Sequence, residues 1–313
     1  MLRGIGQVML QNSVWSGLLF LLGIFYSSWV YGIAVLVGTV ASTLTGMLFR
    51  ADPARVRDGL YGFNGALVGV ALALFLHAGV ATWILIVVAS ASSAVLMAAM
   101  SGWLQARSLS PLTAPFVLTT FGCLPAYTLF GQLQPTQLLR TAGLPKATHV
   151  IGTVAVATVS GGIFSGIAQV FLQASAITGI LFAIGILIHS RRAFAWAIFG
   201  SGIGMLVAWG LGAAEPAIRA GLFGFNSVLT AIAVGSVRLT STAATAIYVL
   251  LASAVTCIAY AALSGILQPA GLSPLTLPFV LVTWVFLSAA HSLPSGRNAG
   301  SESPGRDRSA RVG

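Results

Sequence analysis

The sequence predicts an all-α polytopic membrane protein, and composition, the grouping of apolar residues and an internal duplication each support this class. Of the 313 residues, 57% are hydrophobic and only 6% are charged, and the mean hydropathy is +0.96. Soluble domains carry about a quarter charged residues, so this composition excludes an ordinary soluble protein. Apolar stretches of roughly 20 residues cross a bilayer as helices. A β-barrel would alternate apolar and polar residues, whereas here the apolar residues form blocks.

The chain repeats itself once, at an offset of 162 to 163 residues. Three blocks return in the same order: GIGQV at 4–8 as GIAQV at 166–170, GLYGFN at 59–64 as GLFGFN at 221–226, and LSPLTAPFVL at 109–118 as LSPLTLPFVL at 272–281. Internal symmetry of this kind is typical of membrane transport proteins built from two structural repeats.

Each half contains five apolar runs, and an odd number of spans per repeat predicts that the halves are inverted relative to each other. The runs lie near 14–27, 30–49, 60–77, 80–102 and 112–130, and near 176–188, 193–212, 222–236, 239–265 and 275–291. The segments 4–11 and 166–173 are too short to span and are predicted to be half-membrane re-entrant helices. We therefore expect a first inverted repeat at 1–145, a second at 146–291, and a disordered basic tail at 292–313.

The positive charges predict the orientation of these spans. With the N-terminus in the cytoplasm, 12 of the 15 basic residues fall on the inside, and only Arg140, Lys146 and Arg219 fall outside. Cytoplasmic loops are enriched in Lys and Arg, so we expect a multi-pass protein of the inner (plasma) membrane with both termini in the cytoplasm. The basic residues are scattered rather than clustered, which argues against a nucleic-acid partner.

The predicted spans contain no carboxylate, because all five acidic residues fall in loops or in the tail: Asp52, Asp58, Glu215, Glu302 and Asp307. Proton relays and most cation-coupled carriers use ionisable groups inside the membrane. Their absence favours passive movement of an uncharged solute. An ion-coupled carrier remains an alternative, because carbonyls of a broken helix can coordinate an ion. The histidines lie near span ends and the two cysteines lie in apolar runs, so we expect no metal or cofactor.

Three polar residues inside apolar segments occur in both halves: Gln7 with Gln169, Asn64 with Asn226, and Thr113 with Thr276. A polar group in hydrocarbon is costly unless it is hydrogen-bonded or faces a wet path. Matched positions of inverted repeats converge near the midplane, where a shared path lies. The two asparagines have two open interpretations: they cap a broken helix by bonding backbone groups, or they line the path.

Thr113 lies between Pro111 and Pro115, and Thr276 lies in the same arrangement in the second half. Two prolines at this spacing remove two donors and break a helix. The threonine can bond the freed carbonyls or offer its hydroxyl to a solute, and the duplication favours the second role. Phe63 and Phe225 stand beside the duplicated polar residues, which favours them over other aromatics as lining residues.

The paired LSPLTAPF and LSPLTLPF motifs, with GIGQV and GFNGALVG, resemble those of the urea transporter family over residues 3 to about 290. The resemblance implies transport rather than enzymatic catalysis. It also implies a homotrimer in the lipid bilayer, with one pore per protomer that conducts urea passively. By this resemblance Thr113 and Thr276 flank the central constriction, and Gln7 and Gln169 supply acceptors. Phe63 and Phe225 each form the wall of a flattened slot, with Leu67 and Leu229 beside them.

The chain departs from the family at Leu10 and Leu172, where relatives often place a phenylalanine. The slots are therefore expected to have an aromatic on one face only, which leaves the selectivity of urea over larger amides open. A pore for short amides, water or ammonia is the nearest alternative, although neither half contains an Asn-Pro-Ala box.

Overall fold

The computed structural model describes residues 1–145, 152–237 and 242–292. Several predictions fall outside these residues: the positions of Lys146, His149 and Arg238, the side-chain environment of His291, and the tail from 293 onward, with its arginines and its two acidic residues. The described ranges form α-helices and short 3-10 turns, with a single isolated β-bridge between Leu76 and Pro135.

The helices of the two halves follow the same order. The first half contains α1 (Leu2–Gln7), α2 (Val14–Ser27), α3 (Trp29–Leu48), α4 (Pro53–Arg57), α5 (Phe63–Phe75), α6 (Val80–Gln105) and α7 (Ala114–Cys123). The second contains α8 (Val156–Ala168), α9 (Ala176–His189), α10 (Arg191–Gly210), α11 (Glu215–Arg219), α12 (Phe225–Val234), α13 (Thr242–Leu267) and α14 (Leu277–Ser292). The corresponding helices α2 and α9 also begin in the same way. Ser13 caps α2 and Ser175 caps α9, and each serine side chain accepts a hydrogen bond from the backbone N–H three residues later.

Within the described ranges, four helices are individually long and apolar enough to cross a membrane: α3, α6, α10 and α13. The segment Val156–Phe171 and α9 meet this condition as a pair bent by 75°. The all-α polytopic membrane class is thus confirmed. Three of the remaining apolar helices are shorter than the predicted spans: α5 has 13 residues, and α7 and α12 have 10 each. The count of ten spans therefore stays a prediction.

The short helices α5 and α12 form the centre of the protein. Every residue of α5 except Leu74 is buried, and all ten residues of α12 are buried. A helix that is apolar on all sides belongs inside a bundle rather than at its surface. Their starts carry Phe63 with Asn64 and Phe225 with Asn226, so the duplicated block GFN lies at the core.

The contacts between the halves are reciprocal. Ser16 Oγ on α2 donates to the Gly185 carbonyl on α9 at 2.8 Å, and Thr178 Oγ1 on α9 donates to the Gly23 carbonyl on α2 at 3.2 Å. At the repeat offset, position 16 corresponds to 178 and position 23 to 185. The rings of Phe20 and Phe182, also a matched pair, lie 5.1 Å apart. Such mutual exchange is the pattern of an interface with two-fold symmetry.

The backbone repeats its unusual conformations as well. Leu10 and Leu172 have φ of 61° and 60°, and Leu112 and Leu275 have φ of 53° and 52°. This left-handed region is strained for a residue other than glycine and persists only where the surroundings enforce it. The other matched positions with positive φ are Gly59 with Gly221, Arg50 with Gly212, and Ser108 with Gly271.

Close contact between neighbouring helices explains the glycine that occurs at both position 17 and position 179. A Cβ added at Gly17 would clash with the Leu2 carbonyl oxygen, and one at Gly179 with that of Phe164. We expect Gly17→Ala and Gly179→Ala to lower the thermal unfolding midpoint and the folded yield, measured by size-exclusion chromatography after heating. Gly202→Ala on α10 is the control, because no atom lies within 4 Å of its added Cβ. Equal behaviour of Gly17→Ala and this control would contradict the prediction.

Candidate functional site

The duplicated threonines meet at the centre of the protein. Thr113 Oγ1 and Thr276 Oγ1 lie 2.7 Å apart, and either hydroxyl can donate in this hydrogen bond. Both residues are only 2% exposed. Each precedes the first turn of a short apolar helix, Thr113 at the N-cap of α7 and Thr276 immediately before α14. The sequence prediction that matched positions converge is thus visible in this pair.

The neighbouring sequence explains why these hydroxyls are free to face each other. An N-cap threonine normally accepts a hydrogen bond from the N–H of the second or third helical residue. In α7 the second residue is Pro115, which has no N–H, and Phe116 N–H donates to Asn64 Oδ1 at 3.0 Å. Thr113 consequently makes no side-chain cap bond.

The second half repeats this arrangement. Phe279 N–H donates to Asn226 Oδ1 at 3.2 Å, and the residue before it is Pro278. Asn226 Nδ2 donates to the Leu275 carbonyl at 3.1 Å, and Asn64 Nδ2 donates to the Leu112 carbonyl at 3.4 Å. Each asparagine therefore bonds to the backbone on both sides of one threonine. Before the threonine it bonds to the carbonyl of the leucine with positive φ, and after it to the N–H of the phenylalanine. These are the contacts expected if the asparagines cap a broken helix by bonding backbone groups.

The glutamines are also matched in their contacts. Gln7 Nε2 donates to the Asp58 carbonyl at 3.0 Å, and Gln169 Nε2 donates to the Ala220 carbonyl at 3.1 Å. With the amide nitrogens held in this way, the side-chain oxygens are the groups left to accept from a solute. The assignment of amide nitrogen and oxygen follows from these bonds.

A narrow cavity of about 40 Å³ brings Gln7, Phe63 and Thr113 together. Leu10, Leu60, Ser110 and Phe279 complete much of its wall. The cavity combines the Gln7 amide, the hydroxyls of Ser110 and Thr113 and apolar faces, and Thr113 in its wall is hydrogen-bonded to Thr276. Leu10 belongs to this wall, so one of the two positions at which the motifs depart from the resembled family adjoins the cavity.

The other predicted residues occupy matching places in the two halves. Leu67 and Leu229 are fully buried, one helical turn beyond Phe63 and Phe225. Phe225 is 3% exposed and Gln169 is 7% exposed. Leu67 does not belong to the wall of the 40 Å³ cavity, and a pore-lining role for the leucines stays a prediction.

Sequence analysis did not single out several residues of the cavity wall, among them Leu60, Ser110 and Phe279. Phe279 comes from the second half, yet it lies in the wall of the first-half cavity, whereas Phe63 and Phe225 were favoured over the other aromatics as lining residues. Its place in the duplicated motif LSPLTLPF was the available signal. In the described part of the chain, no group of three or more His, Cys, Asp or Glu side chains converges to hold a metal ion.

The fold and the site together define a polytopic α-helical membrane protein with a duplicated, buried polar cluster at its core. Comparison with known proteins gives the same class: the family model described as urea transporter matches residues 1–291. The chain belongs to the urea transporter family. It is 30% identical over 290 residues to proteins named urea transporter 1 from Ovis aries and from Rattus norvegicus. Each match covers 91% of this chain and 75% of the relative.

Proposed function

We propose that this protein conducts urea passively across the membrane, through a pore between its two halves. The observation that carries the proposal is the pair of hydroxyls on Thr113 and Thr276, freed from helix capping and facing each other at 2.7 Å. Family membership and the relatives named urea transporter 1 supply the solute.

The chemistry of urea fits such a constriction. Urea is flat and neutral, with one carbonyl acceptor and four N–H donors. A threonine hydroxyl both donates and accepts, so the pair can exchange its mutual bond for bonds to either end of the solute. The apolar faces of Phe63 and Phe279 suit the flat surface of urea, and Gln7 offers an acceptor at the edge. An ion entering this cavity would lose its hydration without full replacement.

The charge distribution supports passive conduction over ion coupling. The acidic residues within the described ranges, Asp52, Asp58 and Glu215, lie at short helices or loops outside the four long spanning helices. Coupled carriers use ionisable groups at membrane depth. The ion-coupled carrier therefore remains the less favoured alternative.

The proposal includes an assembly and an orientation. We propose two inverted repeats at 1–145 and 146–291, supported by the reciprocal contacts of α2 and α9. Both termini then lie in the cytoplasm, with the protein in the plasma membrane, as the distribution of basic residues indicates. A homotrimer with one pore per protomer follows from family resemblance. Light scattering of the purified protein in detergent tests the trimer.

Urea flux into proteoliposomes, followed by stopped-flow light scattering, tests the function. We expect rapid flux that is unchanged when sodium and proton gradients are collapsed. Protein-free liposomes and liposomes containing the Thr113→Val, Thr276→Val variant serve as controls. Flux that requires an ion gradient would support the carrier instead, and no protein-dependent flux would refute urea conduction.

The leucines at positions 10 and 172 predict a permissive pore. Leu10 lies in the wall of the cavity, where a branched aliphatic side chain leaves room that a phenylalanine ring would fill. We expect the wild type to conduct acetamide at a rate comparable to that of urea. Leu10→Phe with Leu172→Phe should lower the acetamide flux several-fold more than the urea flux. A ratio that does not change would exclude these residues as selectivity determinants.

A further inference from the structure

The largest described cavity that adjoins the second-half block is built by the connection between the halves. This cavity of about 920 Å³ is bounded by linker residues 140–145, by Leu222 and Phe223, by Tyr260 and Ser264 on α13, and by Gln268 just beyond the end of that helix. We refer to it as the linker vestibule. Leu222 corresponds to Leu60, and Leu60 lies in the wall of the 40 Å³ cavity of the first half. The linker vestibule therefore lies next to the second-half position that corresponds to that cavity.

The wall of the linker vestibule is fixed by several hydrogen bonds. Gln268 Nε2 donates to the Thr141 carbonyl at 2.8 Å, and Gly143 N–H donates to the Gln268 carbonyl at 3.3 Å. Arg140 Nη1 donates to the Ser264 carbonyl at 3.3 Å. The first part of the linker segment is therefore tied to the end of α13 and to Gln268, and Arg140 lies in the cavity wall.

The vestibule is rich in donors. Arg140 is partly buried and takes part in none of the ion pairs found among the described residues. Ser264 Oγ is buried, and in the described part of the protein the Tyr260 hydroxyl is the side-chain group with which it interacts. Tyr260 is only 5% exposed, and it belongs to the cavity wall. A guanidinium carries only donors, and hydroxyls can donate as well, so this set suits a ligand with an acceptor oxygen.

Tyr260 connects the vestibule to the proposed pore. Its ring packs edge-on against Phe225 at 5.5 Å and against Phe223 at 5.7 Å. In the first half the corresponding position is Met97, which lies against Asn64. Ser264 and Gln268 repeat Ser101 and Gln105 of the first half. Tyr260 and Arg140 are therefore the members of the donor set that distinguish the second-half side from the first.

We infer that the linker vestibule is a capture site in which Arg140 and the Ser264 hydroxyl bind the carbonyl oxygen of a neutral amide before it enters the slot walled by Phe225. This inference rests on the proposed function. In a passive pore such a site changes the solute concentration at which flux saturates, but it cannot change the direction of flow.

Equilibrium exchange of radiolabelled urea in proteoliposomes tests the site over a range of urea concentrations. We expect Arg140→Ala to raise the half-saturating urea concentration at least roughly tenfold, as loss of a hydrogen bond to a charged group implies. Ser264→Ala removes a hydroxyl whose neighbour is the Tyr260 side chain and should raise it about twofold. Arg219→Ala is the matched control: it removes a charge from α11, where Arg219 is paired with Glu215, and should leave the value unchanged.

A second solute separates capture from a structural role of Arg140. Thiourea presents sulfur, a weaker acceptor, so the wild type should require more thiourea than urea for half-saturation. Arg140→Ala should bring the two values together, a result that a merely loosened linker would not produce. Size-exclusion profiles confirm that the variants remain folded.

Three results would overturn the inference. One is an unchanged half-saturating concentration in a folded Arg140→Ala protein, and another is an equal shift in Arg219→Ala. The third concerns anions: if replacing chloride by sulfate raises the urea value and Arg140→Ala abolishes that effect, the site holds oxyanions instead. Each differs from failure of the proposed function, in which no protein-dependent urea exchange occurs.

Discussion

Replacing Thr113 and Thr276 together by valine should nearly abolish urea flux while the protein still folds. Valine has the shape of threonine but presents a methyl group, so urea at the constriction would lose two hydrogen bonds. Leaving a buried polar group unpaired costs about 1–3 kcal/mol, and each 1.4 kcal/mol is tenfold in rate, so two lost bonds predict a decrease of roughly 100-fold. Stopped-flow urea permeability, normalised to reconstituted protein, measures it.

The same two helices offer a matched control. Thr120 on α7 and Thr283 on α14 are fully buried, and their hydroxyls have no hydrogen-bond partner in the described structure. The double variant Thr120→Val, Thr283→Val makes the same chemical change seven residues further along each helix. It should leave flux unchanged and should not lower stability, because no bond is lost. If both double variants conduct like the wild type, the central threonines do not line the path.

Replacing Asn64 and Asn226 by alanine should reduce flux through an indirect effect on the threonines. Without Asn64 Oδ1, the Phe116 N–H loses its acceptor, and the Thr113 hydroxyl becomes the nearest group able to cap it. The hydroxyl then turns away from Thr276. We expect a decrease in flux of at least roughly tenfold, together with destabilisation of about 1–3 kcal/mol per site.

A double-mutant comparison separates positioning from packing. If the asparagines act through the threonines, adding Asn64→Ala and Asn226→Ala to the threonine-to-valine protein should cause little further loss of flux. The thermal midpoint should still fall, because the backbone bonds to Leu112 and Leu275 are also lost. Independent, multiplicative losses of flux would show that the asparagines contribute to conduction by another route.

The duplication was the strongest predictor of the candidate site, because it selects residues that occur at corresponding positions in both halves, whatever their type. It identified Thr113 and Thr276, which the structure joins by a hydrogen bond. It did not distinguish the two interpretations of Asn64, because its backbone partners at 112 and 116 lie about fifty residues away. Only the fold shows that this asparagine replaces Thr113 as the cap of α7.

The span lengths of α5, α7 and α12 were overestimated, and the first two show a physical reason. The apolar runs near 60–77 and 112–130 begin before the helices do, because Tyr61 and Leu112 are apolar and buried although they precede α5 and α7. Hydropathy reports burial, and it does not separate helix from irregular backbone packed inside protein. The linker vestibule was missed because Arg140 has no counterpart in the other half, so a comparison of repeats cannot detect it.

The reciprocal contacts of α2 and α9 have a consequence for how each half is constrained. The Ser16 hydroxyl donates to the Gly185 carbonyl, and the Thr178 hydroxyl donates to the Gly23 carbonyl. Each half therefore contributes one donor and one acceptor at corresponding positions, as each subunit of a symmetric dimer does. The interface between α2 and α9 resembles that of a homodimer whose two subunits are joined in one polypeptide. A residue at this interface must suit its own helix and also the corresponding face of its twin, which accounts for the retention of small residues at 23 and 185 on both sides.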